Sequence, residues 1–102
     1  MLELRPNCEL CDKDLPANST EAQICTYECT FCSDCVENKL KNVCPNCGGG
    51  FEKRPVRPSV ARNDGVSLNH HPASTRRVHT KYSEQEIRDF AKRVKNTLPK
   101  NR

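Results

Sequence analysis

Eight cysteines fall in the first half of the 102-residue chain, spaced Cys8-x2-Cys11-x13-Cys25-x3-Cys29-x2-Cys32-x2-Cys35-x8-Cys44-x2-Cys47. They make four close pairs, and each pair is a two-pronged chelate. Two chelates complete one tetrahedral site of four thiolates, so the set suits two metal ions with no cysteine left over. Zinc fits such a site because it is borderline soft, redox-inert and imposes no d-electron geometry. The turn of a Cys-x2-Cys pair also lets backbone amides point at the sulfurs. The expected cofactors are two zinc ions.

Two other uses of the thiols compete. Disulfides would allow roughly a hundred connectivities. Met1-Leu2-Glu3-Leu4-Arg5-Pro6, however, lacks the basic-then-apolar pattern of a secretory leader, and no stretch is long and apolar enough to span a membrane. A cytoplasmic location, where thiols stay reduced, is therefore expected, and Asn18-Ser19-Thr20 is a chance match to a glycosylation sequon. An iron–sulfur cluster on Cys29, Cys32, Cys35 and Cys44-Pro45 would resemble cluster ferredoxins, but with a longer gap before the Cys-Pro. It would leave Cys8, Cys11, Cys25 and Cys47 without a simple role.

The order pair, long gap, pair, pair, short gap, pair resembles a RING-type cross-brace with cysteine at every ligand position. Leu10 before the second ligand and Pro45 inside the last pair also match common RING choices. The resemblance implies a RING-like or treble-clef zinc domain with site 1 formed by Cys8, Cys11, Cys32 and Cys35. Site 2 would be Cys25, Cys29, Cys44 and Cys47. Sequential pairing, with Cys8/Cys11/Cys25/Cys29 and Cys32/Cys35/Cys44/Cys47, is the alternative, as in tandem zinc knuckles; spacing alone does not separate the two. Residues 1–58 as a block are also similar to a family of short, uncharacterised bacterial cysteine-rich proteins, a likeness that implies no activity.

No enzyme is expected. A catalytic zinc keeps an open coordination position, which four thiolates close, and a redox Cys-x-x-Cys would need a thioredoxin-like context that is missing. The RING resemblance raises ubiquitin-ligase chemistry, which in that family uses a groove helix and an arginine after the last ligand pair. Here Gly48 follows Cys47, the chain has no tryptophan for the groove helix, and Arg54 is displaced too far for that role.

The elements that must position these sites are few. Outside the cysteines the chain has 27 apolar residues. Structural zinc adds about 10–16 kcal/mol per site in model peptides, ample for so small a core. Val36, Leu40 and Val43 predict a two-turn helix after Cys35. Ile24 to Tyr27 and Glu28 to Phe31 predict a short hairpin with Tyr27 and Phe31 as core aromatics. The overall expectation is a small metal-stabilised α+β fold: a two-zinc domain over residues 1–52, a flexible basic linker over 53–82 and an amphipathic helix over 83–98.

Charge follows the same division. Residues 1–50 carry −4 and residues 51–102 carry +8, and the switch falls at Gly48-Gly49-Gly50, which reads as a flexible break. The linker is rich in proline and poor in bulky apolar residues, so it is expected to stay disordered. Lys53, Arg54, Arg57 and Arg62 read as a solvated basic stretch, and His70, His71 and His79 as solvent-facing groups. Ser83-Glu84-Gln85-Glu86 is a capping box flanked by the staple pair Tyr82 and Ile87. Glu84 and Arg88, and Asp89 and Arg93, stand at favourable spacing for ion pairs, and Pro99 sets the end near Leu98.

The helix stripe Ile87, Phe90, Ala91, Val94 and Leu98 needs a cover: the metal head, a second copy by self-association, or another protein. The expected function is a zinc module mediating a protein contact, with no membrane role. The rival is nucleic-acid binding through the basic tail. Full thiolate ligation of two zincs would take the head to about −8 against a tail of +8, which weakens that rival.

Overall fold

The computed structural model describes residues 1–102 as a small α+β structure. Strand β1 (Ala22–Ile24) pairs antiparallel with β2 (Thr30–Cys32), in the register Ala22 with Cys32 and Ile24 with Thr30. The hairpin turn between them holds Cys25 and Cys29. Strand β3 (Glu52–Lys53) adds to the other edge of β1, giving the order β2-β1-β3. Strand β2 runs directly into α1 (Ser33–Cys35), which continues as a π-helical turn over Val36–Leu40. Val36, Leu40 and Val43, the expected apolar positions, are all buried, but the helix runs from Ser33, with Cys35 inside its first turn, only to Leu40, and Val43 lies beyond it past left-handed Lys41 and Asn42.

The core is built around thiols. Cys8, Cys25, Cys29, Cys32, Cys35 and Cys44 are buried in one cluster with Leu15, Ala22, Phe31, Val36, Leu40, Phe51 and Ile87. Phe31 and Phe51 meet edge to face, with ring centroids 5.4 Å apart. Tyr27, expected as the second core aromatic, is instead 72% exposed. It sits in the hairpin turn, where the chain reverses and a side chain points to water. Every buried side-chain nitrogen and oxygen has a hydrogen-bond partner.

Residues 53–82, expected as a flexible linker, lie against the head as a strap. Arg54, 1% exposed, donates to the carbonyls of Arg5, Leu15 and Pro16. Arg57 donates to the carbonyls of His71 and Leu2, and the Ser74 and Thr80 amides to those of Leu4 and Glu9. Arg77 bonds Asp12 and Asp14, and Arg76 bonds Glu3. Composition failed here because it measures only apolar burial; this segment is held by charge-assisted hydrogen bonds. Of the cations read as a solvated stretch, Arg54 and Arg57 help to hold it, while Lys53 and Arg62 are exposed as expected.

Helix α2 spans Glu84–Val94 and starts as the capping box requires, with Ser83 Oγ accepting from the Glu86 amide and Glu86 accepting from the Ser83 amide. It ends four residues short of the expected Leu98. The chain turns at Lys95 to Thr97, and Leu98 is extended before Pro99, as a residue preceding proline prefers. Leu98 is consequently 60% exposed and leaves the stripe. Ile87 and Ala91 are buried against the head, so those two positions are covered within the chain. The expected pairs of Glu84 with Arg88 and Asp89 with Arg93 do not form. Glu84 reaches Lys39 on the head, Asp89 accepts from Gln85, and Arg93 lies over the Phe90 ring.

Candidate metal centre

Three tight turns present six of the cysteines, two of these turns being built alike, while Cys32 ends β2 and Cys35 lies in α1. In the first, the Cys8 amide donates to the Lys13 carbonyl and the Asp12 amide to the Cys8 carbonyl. In the second, the Cys44 amide donates to the Gly49 carbonyl and the Gly48 amide to the Cys44 carbonyl. The residue just after the second cysteine is left-handed in both, Asp12 at φ 63° and Gly48 at φ 78°. Glycine adopts this conformation freely and aspartate tolerates it. Gly48, expected as part of a flexible break, is thus a buried member of the turn. The third turn is the hairpin, closed by the Glu28 amide on the Cys25 carbonyl with Glu28 at φ 66°.

These turns aim the thiols inward and the amides at the sulfurs. Tyr27 donates to Cys25 Sγ at 3.3 Å and Gly49 to Cys47 Sγ at 3.4 Å. The sulfurs gather in two clusters. Those of Cys8, Cys11, Cys32 and Cys35 lie within 4.8 Å of one another. Those of Cys25, Cys44 and Cys47 do the same, and the Cys29 thiol stands beside them against Cys25. The first pair therefore meets the third, and Cys25 of the second meets the fourth, while Cys29, expected as the fourth ligand of site 2, lies outside that 4.8 Å group. The sequential combination Cys8/Cys11/Cys25/Cys29 is not brought together. Cys11 and Cys47 reach solvent, one from each cluster, while the other six are buried.

Electrostatics favours a cation in both places. Burial pushes the Cys35 and Cys44 thiols well up from their ordinary value, and charge on neighbouring sulfurs adds to the effect. Burial raises Cys29 and Cys32 as well. Cys11 is lowered: burial opposes ionisation, but the Lys13 amide and the thiols around it hold the charge. Four crowded sulfurs cannot all ionise on their own, whereas a bound divalent ion inverts that balance and deprotonates its thiol ligands. Both groups could hold a metal ion.

Two polar residues join the turns and escaped the sequence reading. Glu9, 3% exposed, accepts from the Thr30 amide and Arg5 through one oxygen and from Asn46 through the other. It ties the Cys8 turn to β2 and to the Cys44 turn. Asn7 donates to Asp12 and to the Val78 carbonyl and accepts from the Val78 amide, fixing the strap on the first turn. An acid placed inside a Cys-x2-Cys loop was the available signal for Glu9. His70 bonds Ser67 and His79 lies 3.6 Å from Asp12, so the histidines join neither cluster.

Fold and site together define a small cysteine-rich protein whose core is organised around two thiol clusters able to hold metal. The chain belongs to the family described as "Protein of unknown function (DUF1272)", whose model matches residues 1–57. That range takes in all eight cysteines and Arg54, in keeping with the expected likeness to an uncharacterised cysteine-rich family. The chain is also 58% identical over 78 residues to an uncharacterised protein of Rhizobium meliloti (strain 1021), covering 76% of this chain and 86% of that protein. No solved structure matches it. No helix is long and apolar enough to cross a membrane.

Proposed function

We propose that the protein is a non-catalytic zinc module of RING-like cross-brace type that mediates contact with another protein. The observation that carries this reading is the interleaved grouping of the sulfurs, the first pair with the third and Cys25 of the second with the fourth. Zinc fits the donor set. A tetrahedral ion with Zn–S bonds of about 2.3 Å separates its sulfurs by about 3.8 Å, and Cys11 Sγ and Cys32 Sγ are 3.7 Å apart. When bound, zinc supplies charge neutralisation and a rigid node. Cys8, Cys11, Cys32 and Cys35 would hold one ion, and Cys25, Cys29, Cys44 and Cys47 the other.

An all-thiolate set supports a structural role over hydrolysis, since it leaves no coordination position for water. Ligase chemistry draws no support from Arg54, whose guanidinium is occupied by three carbonyls. Nucleic-acid binding by the tail is disfavoured because Arg54, Arg57, Arg76 and Arg77 are used within the chain. Native mass spectrometry of the purified chain should report two zincs, and the protein should be colourless. A brown protein would sink the zinc assignment. A nuclease-treated affinity capture should retain a protein partner; a salt-sensitive shift of an oligonucleotide, with no protein retained, would transfer the function to nucleic acid.

A further inference from the structure

The thirteen cations of residues 51–102 are used unevenly. Arg54, Arg57 and Arg102 are occupied by backbone carbonyls, Arg76 and Arg77 by carboxylates, and Lys81 and Arg93 by aromatic rings. The cations of α2 that face the head are different. Between the π-helical turn and α2 lies a cleft of about 380 Å³. Its rim carries Lys39 and Lys41 from the head, Arg88 and Lys92 from α2 and Lys95 from the turn that ends it, against a single carboxylate, Glu84. Glu84 pairs only with Lys39, at 3.4 Å, and Arg88 touches no more than the Gln85 amide oxygen. Lys41, Lys92 and Lys95 have no acidic partner. The floor is apolar, formed by Leu10, Ile87 and Ala91.

Like charges gathered on both walls of a narrow cleft repel one another unless an anion enters between them. We propose that this cleft receives an acidic peptide segment carrying an aliphatic side chain, presented by a partner protein; the proposal rests on the protein-contact reading above. Charge complementarity argues for the acid, and the apolar floor argues for the anchor. Carboxylates spaced along an extended peptide can face both rims, while one aliphatic side chain covers Ile87 and Ala91. Lysine and arginine stems line such a floor while their charged ends meet the ligand. Nucleic acid fits less well, since no aromatic ring lines the cleft to stack a base.

The test uses the full metal-loaded chain and a fluorescein-labelled hexapeptide of four glutamates and two leucines, followed by anisotropy. Saturable binding is expected, weakening by about tenfold when Arg88→Glu and Lys92→Glu are combined on the cleft wall of α2. Replacing the two leucines by serine should weaken it by roughly tenfold, an effect that needs no change to the protein. Arg62→Glu, outside the cleft, should bind as the parent does. Native mass spectrometry and circular dichroism establish that each variant keeps its metal and fold. Absence of saturable binding by a two-zinc protein overturns the proposal, as does equal binding by the double variant. Displacement of the peptide by duplex DNA at lower concentration than by unlabelled peptide also overturns it. If the chain retains a nuclease-resistant protein partner but ignores the peptide, the cleft assignment alone fails; if it retains neither, the protein-contact reading fails with it.

Discussion

Arg54 is a buried guanidinium facing three carbonyls and no carboxylate, and burial lowers its pKa from the ordinary value while leaving it a cation. It joins β3 to the segments around Arg5 and Leu15, so one side chain stitches three stretches of the head. Removing it strands those carbonyls, and hydrogen bonds to a charged group contribute about 1.5–3 kcal/mol each. Arg54→Met should therefore lower stability by about 3 kcal/mol or more in a denaturant titration of the metal-loaded protein. A loss below about 1 kcal/mol, the size of an ordinary surface change, would contradict the role. Nothing local distinguishes Arg54 from Lys53 or Arg57 in sequence, because its burial depends on carbonyls some forty residues earlier. At the head's edge, hydrogen bonds from Arg76 hold the Glu3 carboxyl below its usual range. A depressed carboxylate stabilises the fold above its unfolded pKa, near 4, and that stabilisation disappears as pH falls through the folded value. The melting-temperature difference between the parent and Arg76→Gln should be full at pH 7 and shrink below about pH 4. A difference constant to pH 3 would show that the contact is not ionic.

At the scale of elements, local signals were legible and remote ones were not. The capping box, the Tyr82 staple position and the apolar pair Val36 and Leu40 all involve neighbours within a turn or two, and the structure has each in place, whereas Val43 is buried from beyond the helix end. Ser83→Ala should cost about 1 kcal/mol and reduce helical circular dichroism near the C-terminus. The end of α2 was misjudged because Pro99 marks where a helix must stop, whereas Asn96 and Thr97, poor helix formers, stop it sooner. The turns are a middle case. Gly48 was read as slack, yet its φ of 78° matches that of Asp12 in the equivalent turn around Cys8. A β-carbon at Gly48 would sit 3.5 Å from the Phe90 ring, an ordinary contact, so the penalty of Gly48→Ala is mainly backbone strain. We expect a loss of about 1–2 kcal/mol, with metal content unchanged by mass spectrometry. An unchanged denaturation midpoint would mean the turn accommodates alanine by another conformation.

The molecule as a whole is a chain that visits one thiol cluster, leaves for the other, returns to the first and ends at the second. Sequence placed the eight cysteines and the tail helix, but not the strap, whose stability comes from pairings such as Arg77 with Asp12 and Asn7 with Val78 across more than sixty residues. On the zinc reading, neither site is complete until both halves of the head have folded. Chelation should consequently unfold the head in one transition, with loss of β and α signals together in circular dichroism. Cys32→Ala should lower zinc content at both sites, whereas a chain with one full zinc retained and a half-folded head would contradict the interleaving. The uneven exposure of the sulfurs has a kinetic consequence. Six thiols are sealed in the core, and Cys11 and Cys47 are each cluster's single contact with water. An incoming chelator or acceptor protein can attack only there, so these two bonds would be the last to form during loading and the first to break during release. The turnover of metal in this protein would thus be governed by two surface sulfurs, however tightly the other six hold.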